Sequence, residues 1–397
     1  MMRKVLSSVI LIASLIVAGV QWQSHLVTTV AAQTSADRPS GVPMFQVDPS
    51  WPKVPAKWKL GDASSIGIDA QDHVWVLHRP RTLPADQVSM AAPPVIVFDG
   101  TGNFIQAWGG PGSGYEWPER EHGIHIDYKG FVWIGGNNCP ARGLAGLKPV
   151  GDDQLLKFTQ AGKFISQIGH SSESTGNADT KNLHQPADGV VYRKTNELFV
   201  ADGYGNHRVI VFDADTGKYK RHWGAYGHKP DDTDLGNYNP DAPPAQQFRN
   251  PVHCADLSVD RLVYVCDRVN DRIQVFKPDG TFVKEAFVAK RTLGSGSAWD
   301  IAFSKDPQQK YIYLADGEND RVHILLRDTL EVLTTFGEGG RQPGEFYGPH
   351  SIATDSKGNI YVTETYRGQR VQKFVYKGLG PVTKEDQGVL WPKSMKK

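Results

Sequence analysis

LFVADGYGNHRVIVF, residues Leu198–Phe212, is the clearest copy of an internal repeat that decides the fold. It reads as an alternating apolar strand, a tight polar turn, and a second alternating strand that opens with arginine. The same order returns in VYVCDRVNDRIQVF, IYLADGENDRVHILL and IYVTETYRGQRVQKF, which begin at Val263, Ile312 and Ile360. Antiparallel strand pairs that recur in this way indicate the blades of a β-propeller.

Two fainter copies precede these four, VWVLHRP from Val74 and VWIGGNN from Val132, which makes six repeats. A four-stranded propeller blade spans ~40 to 50 residues, close to the spacing of the last copies. We therefore expect an all-β fold, a six-bladed β-propeller over residues 57–377. A lead segment at 33–56 would precede it, and a tail at 378–397 would follow.

The last repeat has no convincing fourth strand after Phe374, whereas KWKL at Lys57–Leu60 has the alternation of a spare strand. We expect this segment to join the last blade. The ring would then be closed and two exposed sheet edges would be removed.

Composition excludes two classes of partner. The 397 residues include 44 basic and 43 acidic side chains, a net charge of +1. This balance gives no bias toward nucleic acid or an anionic membrane surface, and neither is expected as a partner. Because the repeats run almost end to end, we expect one folded domain. We also expect the protein to be a monomer.

The first residues are typical of a secretory signal peptide. Arg3 and Lys4 precede the apolar run Val5–Val20, and the small residues Ala31 and Ala32 follow it. We predict a signal peptide at 1–32, so that the mature chain is secreted or periplasmic and not attached to a membrane. An uncleaved anchor is the alternative, although the apolar run is shorter than a membrane span.

Three cysteines remain in the mature chain. Cys254 and Cys266 fall on consecutive strands of one repeat, almost opposite each other across a hairpin. A disulfide between them is plausible in an oxidising compartment, and two buried thiols are the alternative. Cys139 would be free in either case.

A second regularity concerns histidine. His122, His253 and His350 occupy one position in alternate repeats, within EHGIHID, VHCADLS and PHSIATD. In a six-bladed ring they would converge on the axis, and three imidazoles with an open position suit Zn²⁺. The alternative is hydrogen-bonded channel histidines, and we expect such a structural role for His125. The intervening repeats carry other residues at this position: Ser64, Ala187 and Trp299.

The histidine position and the turn after the second strand lie at the same end of a blade, because the two strands are antiparallel. Arg79, Tyr204 and Arg268 project from such turns and are candidates to work beside the histidines. The long insertions open onto the same face, where binding sites usually form: 81–93, 139–152, 170–182 and 225–245.

Four other arginines recur at one position in every clear repeat, which indicates bracing of the turns. We expect each to pair with the acidic residue of its own turn, and we assign them no catalytic role. The pairs are Arg208 with Asp202, Arg272 with Asp267, Arg321 with Asp316, and Arg370 with Glu364.

The repeats resemble NHL repeats, in which a strand is followed by Asp, Asn, Arg and an apolar strand, over about Trp58–Lys377. Within that group the chain is similar to peptidyl-α-hydroxyglycine α-amidating lyases. The motifs that carry this similarity are HGIHID, NPVHCADLS, GPHSIATD, VLHRP, ADGYGNHRVIVF and CDRVNDRIQVF. The resemblance implies that His122, His253 and His350 bind a catalytic Zn²⁺.

It also implies a reaction in which a carbinolamide C–N bond of a peptide or related small substrate breaks to give an amide and glyoxylate. Zn²⁺ would lower the pKa of the substrate hydroxyl. Tyr204 would take the proton as a phenolate, which needs the nearby cation Arg268 because tyrosine ordinarily ionises near pH ~10. Arg79 would bind the substrate carboxylate or polarise its oxygen.

Two positions depart from that family. Gly205 stands where the family has a disulfide cysteine, and Ser351 stands where it has an aspartate that holds Ca²⁺. A structural Ca²⁺ is therefore left open. The alternative function is a non-catalytic secreted propeller that binds a protein or glycan. A calcium-dependent, lactonase-like propeller is disfavoured because it would need carboxylate and amide oxygens in the channel.

Overall fold

The computed structural model describes residues 41–142, 146–381 and 389–390, so the predicted signal peptide at 1–32 lies outside the described residues. The described chain forms six sheets whose four main strands are antiparallel, which confirms an all-β, six-bladed propeller. In each blade we label the strands A to D, with A nearest the axis. No helix in this part of the chain is long and apolar enough to cross a membrane.

The strand bounds follow the repeats. Blade 1 has Asp62–Ile68, Val74–Arg79, Val95–Phe98 and Phe104–Trp108. Blade 2 has Glu121–Ile126, Phe131–Gly136, Leu155–Thr159 and Phe164–Ile168. Blade 3 has Asp188–Tyr192, Glu197–Asp202, Arg208–Asp213 and Tyr219–Trp223. Blade 4 has Val252–Leu257, Val263–Asp267, Arg272–Phe276 and Phe282–Phe287.

Blade 5 has Asp300–Phe303, Tyr311–Asp316, Arg321–Leu326 and Val332–Phe336. Blade 6 takes Pro349–Thr354, Ile360–Glu364 and Arg370–Gly380 as A to C, Val42–Asp48 as D, and a two-residue strand, Val389–Leu390, outside it. The helices are single 3-10 turns at Pro80–Thr82, Val88–Met90, Pro140–Arg142, Ala225–Gly227 and Arg268–Asn270.

Val42–Asp48 closes the ring, and the prediction that Lys57–Leu60 does so was wrong. Val42–Asp48 pairs antiparallel with the C strand of blade 6, with Val47 opposite Phe374. Its alternate side chains fill the core between blades 5 and 6, where Phe45 is fully buried. Lys57–Leu60 instead runs beside blade 1. The first propeller strand therefore begins at Val42, ahead of the expected boundary at 57.

The hydrophobic core is divided among the blade interfaces. Six clusters of buried side chains are present, and each draws on two neighbouring blades. Between blades 1 and 2, for example, Trp75 and Val97 pack with Ile124 and Val132. Burial of apolar area between blades, at roughly 25 cal/mol per Å², is therefore what holds the ring together.

Three of the four predicted arginine braces are present. Arg208 donates to Asp202 at 2.8 Å, and the two equivalent pairs in blades 4 and 6 are also formed. In blade 5 the prediction was wrong, because the Asp316 carboxylate is bonded to His323 Nε2 at 2.9 Å. Arg321 Nε donates to the backbone carbonyl of Asn319 instead.

Cys254 and Cys266 form a disulfide between strands A and B of blade 4, where they stand directly opposite each other. Cys139 is a free thiol, as expected. The bridge lies next to His253 and fastens the strand that carries it. His125, expected to be structural, accepts a hydrogen bond at Nε2 from the backbone N–H of Val191 in the next blade, at 3.1 Å.

Candidate metal centre and its surroundings

His122, His253 and His350 meet on the axis of the propeller. Each is the second residue of an A strand, in blades 2, 4 and 6. The repeat register therefore places all three at the same height along the propeller axis. The centroids of their rings are 4.8, 4.9 and 5.0 Å apart, which is close to an equilateral triangle. All three side chains are buried.

A backbone carbonyl from the next blade orients each imidazole. Nδ1 of His122 donates to the carbonyl of Ala187 at 2.7 Å. Nδ1 of His253 and Nδ1 of His350 donate in the same way, at 2.6 Å, to the carbonyls of Trp299 and Ser64. This fixes the tautomer, so that each Nε2 presents its lone pair toward the axis. The alternation has a physical basis here, because each intervening residue supplies the carbonyl for one histidine.

The cluster fits a divalent transition metal. Its three ligand nitrogens all lie within 4.8 Å of one another. Burial lowers the pKa of each imidazole well below its usual value, and neighbouring imidazoles and arginines lower it further. The rings are therefore neutral at physiological pH, which is the form that binds a metal. Three neutral imidazoles at this spacing are therefore a possible three-histidine metal site.

Tyr204 and Arg268 lie at the cluster, as the sequence predicted. The Tyr204 hydroxyl is 2.9 Å from Nε2 of His122 and 3.1 Å from Nε2 of His253. Arg268 Nη1 donates to the same hydroxyl oxygen at 3.0 Å. A cation that donates a hydrogen bond to a phenol oxygen stabilises negative charge on it. Tyr204 is thus placed to exchange a proton with a group bound at the histidines.

Trp299 holds Arg268 in place, a role that the sequence did not predict. The Arg268 guanidinium lies 4.4 Å from the centre of the Trp299 ring, and its Nε donates to the carbonyl of Ser295 at 2.9 Å. The indole also stands edge-on to His350, with ring centroids 5.4 Å apart. The one signal in the sequence was an aromatic residue at the position that holds histidine in alternate repeats.

Arg79 is a buried cation that is bonded to the residue before His122. Its Nε donates to the carbonyl of Glu121 at 2.7 Å and its Nη1 to Thr365 Oγ1 at 3.2 Å. Burial lowers its pKa to about 10, so the guanidinium stays charged at neutral pH. Its charge acts on His122 and His350, whose pKa values it helps to lower. Tyr204 is among the groups whose charge acts on Arg79.

Ser351 serves the fold at the position where a calcium ligand was considered. Its Oγ accepts a hydrogen bond from the backbone N–H of Ile66 in blade 1, at 3.3 Å. Its own N–H donates to Thr363 Oγ1 at 3.1 Å. The hydroxyl therefore links two blades, and the residues give no support for a Ca²⁺ site there.

Comparison with known families finds an NHL repeat at residues 346–374, the first three strands of blade 6. One NHL repeat is thus recognised in the chain, and the resemblance noted in the sequence is confirmed for that repeat and for the six-bladed fold.

Curated relatives are distant. The chain is 25% identical to peptidyl-glycine alpha-amidating monooxygenase A of Xenopus laevis over 81% of its own length, and spans 32% of that protein. It is 24% identical to peptidyl-alpha-hydroxyglycine alpha-amidating lyase 1 of Drosophila melanogaster, covering 81% of this chain and 58% of the relative. It is also 24% identical to NHL repeat-containing protein 3 of Mus musculus, over 84% of both chains.

Among solved structures, a streptogramin B lyase superposes with a TM-score of 0.52. The match covers 86% of this chain and all of the other, at 12% identity. At that identity the likeness supports the propeller fold alone.

Proposed function

We propose that this propeller is an exported zinc-dependent lyase that cleaves the C–N bond of a carbinolamide to give an amide and glyoxylate. The observation that carries the proposal is the position of the Tyr204 hydroxyl, between two imidazole nitrogens and next to Arg268. The distant relatives named as amidating lyases support the reaction class.

The reaction needs one proton to move. In a carbinolamide the hydroxyl and the amide nitrogen sit on the same carbon. When the hydroxyl loses its proton, the electrons on oxygen form the aldehyde of glyoxylate. The C–N bond then breaks, its electron pair stays on nitrogen, and nitrogen takes up one proton. Tyr204 is the residue proposed to take the first proton and to return it to the departing amide.

The two arginines hold the charges of this step. Arg268 stabilises Tyr204 while it carries negative charge, through the 3.0 Å contact between Nη1 and the hydroxyl oxygen. Arg79 is charged and buried beside the cluster, so it is the candidate to bind the carboxylate that becomes part of glyoxylate. Both side chains are fixed by backbone carbonyls, which limits their reorganisation during the reaction.

His122, His253 and His350 are the proposed zinc ligands, and each is held by the carbonyl described above. A zinc ion bound there supplies Lewis acidity, which brings the pKa of an alcohol within reach of a neutral-pH base.

The metal is tested first, by elemental analysis of purified protein. We expect about one zinc per chain, and its loss when any one of the three histidines is changed to alanine. His228→Ala is the matched control, since His228 is exposed on a loop. A chain without stoichiometric zinc, or one that keeps it after all three changes, contradicts the proposal and favours the alternative of a binding protein.

The reaction is tested by glyoxylate release from an α-hydroxyglycine peptide. Tyr204→Phe removes only the hydroxyl, and we expect a loss of ~10² to 10⁴ in kcat with zinc retained. Tyr219→Phe, at an exposed ring on blade 3, should leave the rate unchanged. Equal rates for the native chain and Tyr204→Phe would remove this residue from the mechanism.

Export and assembly are part of the proposal. We propose that residues 1–32 direct secretion or periplasmic export and are removed. We also propose that the mature protein acts as a monomer on a small molecule or peptide. Intact mass and light scattering of the exported protein check both points: the expected first residue is Gln33, and a dimer or a retained leader would contradict them.

A further inference from the structure

A cavity of about 650 Å³ opens beside the metal centre on the face that carries the long loops. One wall is Arg268, which also contacts the Tyr204 hydroxyl. Residues 232–236 of the insertion between blades 3 and 4 form another part of the wall. Arg268 is therefore the residue shared by this cavity and the site around the Tyr204 hydroxyl.

The acidic wall is anchored to blade 3. Asn177, which is buried, donates to Asp232 Oδ1 at 2.7 Å and to the carbonyl of Asp231 at 3.0 Å. The N–H of His207 donates to the Asn177 side-chain oxygen at 2.8 Å, and its ring nitrogen Nδ1 bonds the carbonyl of Asp231 at 2.9 Å. The loop thus presents Asp232 toward the cavity from a fixed base.

Side chains of both charges line the cavity, and the charge of Asp234 acts on Arg249. Asp232 and Asp234 make no ion pair with a basic side chain in the described part of the chain. Arg249, the other cation on the wall, holds the loop: it donates to Asn270 Oδ1 at 3.1 Å and to the carbonyl of Gly236. Arg268 therefore places a cation in the part of the lining next to Tyr204, while Asp232 and Asp234 are carried by the loop.

We infer that this cavity binds the amide side of the substrate and selects a cationic group there. The inference rests on the proposed function, because the position of the reacting carbon is taken from it. A substrate whose carboxylate faces the arginines at the metal centre would place its remaining chain along the cavity. A lysine-like or arginine-like group on that chain then meets Asp232 and Asp234.

The test uses acetylated dipeptides that end in α-hydroxyglycine and differ only in the first residue, which is lysine, norleucine or glutamate. Lysine and norleucine have the same number of methylene or methyl carbons in the side chain, so they compare charge at similar length. We expect KM to be lowest for lysine, about three- to tenfold below norleucine, as two partly exposed ion pairs would give. Glutamate should have the highest KM.

Asp232→Asn with Asp234→Asn removes both charges while keeping the shape and the acceptor for Asn177. In this double variant the ratio of kcat/KM for lysine over norleucine should fall to within about twofold of one. Asp241→Asn is the control, because Asp241 lies in the same insertion, outside the cavity lining, and pairs with Arg291. A preference that is absent, or that survives the double variant, overturns the inference although glyoxylate is still released.

A binding measurement tests the cationic preference independently of the proposed reaction. Acetyl-lysyl-glycine and acetyl-glutamyl-glycine lack the hydroxyl and cannot be cleaved, so calorimetric titration of the zinc-loaded protein measures binding without reaction. Both compounds share the terminal carboxylate, so the difference between their affinities reports the side-chain preference of the cavity. Tighter binding of the lysyl compound, lost in the double variant, supports the cationic preference even if no carbinolamide is cleaved. Equal binding of the two compounds overturns it.

Discussion

Each residue of the metal centre depends on a group contributed by another blade. The histidines take carbonyls from blades 3, 5 and 1, and Arg268 takes the face of Trp299. Gly317 packs against the Trp299 indole and has no room for a side chain. A Cβ at this position would come within 2.8 Å of the indole and 2.6 Å of the Pro349 carbonyl. Blade 5 therefore has glycine where blades 1 and 4 have Arg79 and Arg268.

Trp299→Leu should disturb Arg268 and leave metal binding by the histidines intact. We expect zinc content to be unchanged, because His253 is bonded to the backbone carbonyl of Trp299 and not to its side chain. Loss of the cation–π contact, about 1 to 2 kcal/mol in a desolvated site, should lower kcat/KM about tenfold and move the acidic limb of the pH profile to higher pH. Trp299→Phe should recover most of the kcat/KM and most of the native pH profile, because it keeps an aromatic ring beside Arg268. An unchanged pH profile would show that Trp299 is only packing.

At the scale of strands, the residue after the histidine position links the A strands of neighbouring blades in blades 1, 5 and 6, through Ser65, Asp300 and Ser351. Ser65 Oγ accepts from the N–H of Ile124 at 3.1 Å, and Asp300 Oδ2 accepts from the N–H of Ile352 at 2.9 Å. These contacts surround a second cavity, of about 460 Å³, on the side of the histidines away from the long loops. Asp256 faces this cavity, near Asp300 and Lys305.

Asp256→Asn should stabilise the protein above neutral pH. Burial, and then the charge of Asp300, raises the pKa of Asp256 well above its usual value. The folded chain thus keeps a proton that the unfolded chain loses near pH ~4, so this group weakens the fold as pH rises from there. We expect the Tm of the variant at pH 8 to be higher by about 2 °C or more, a gain that shrinks toward pH 4.

Thermal unfolding at both pH values measures this difference. Asp86→Asn, at an exposed position, should show no such trend. A variant that is less stable than the native chain at pH 8 would show that the Asp256 carboxylate is bound by a compensating cation.

At the scale of the whole molecule, the ring is closed by the segment that precedes blade 1. Phe45 and Val47 lie in the core shared by blades 5 and 6, together with Tyr313 and Phe374. The closing strand thus joins the two ends of the propeller, and it also completes the only blade built from distant parts of the sequence in the described chain.

A truncated chain that begins at Lys57 should therefore fail to fold, under conditions in which a chain that begins at Gly41 folds. Without Val42–Asp48 the C strand of blade 6 loses its partner and the core between blades 5 and 6 is open to water. Phe45→Ala removes one buried side chain of the closing strand and leaves the strand itself in place. We expect the free energy of unfolding to fall by about 3 to 5 kcal/mol. Denaturant titration measures it, with Phe104→Ala at an exposed ring as the control. Equal stability of the two truncated chains would contradict this closure.

The sequence by itself determined the six blades, the alternate histidines and the proximity of Tyr204 and Arg268. Strand pairing within a blade is local, so alternation and turn residues fix the register, and one register repeated six times sets every equivalent residue at the same height. Tertiary structure alone decided the closing strand, the His323 partner of Asp316, and the contact of Trp299 with Arg268. These contacts depend on which side chains fill the space between or beside the strands, and strand periodicity carries no information about that choice.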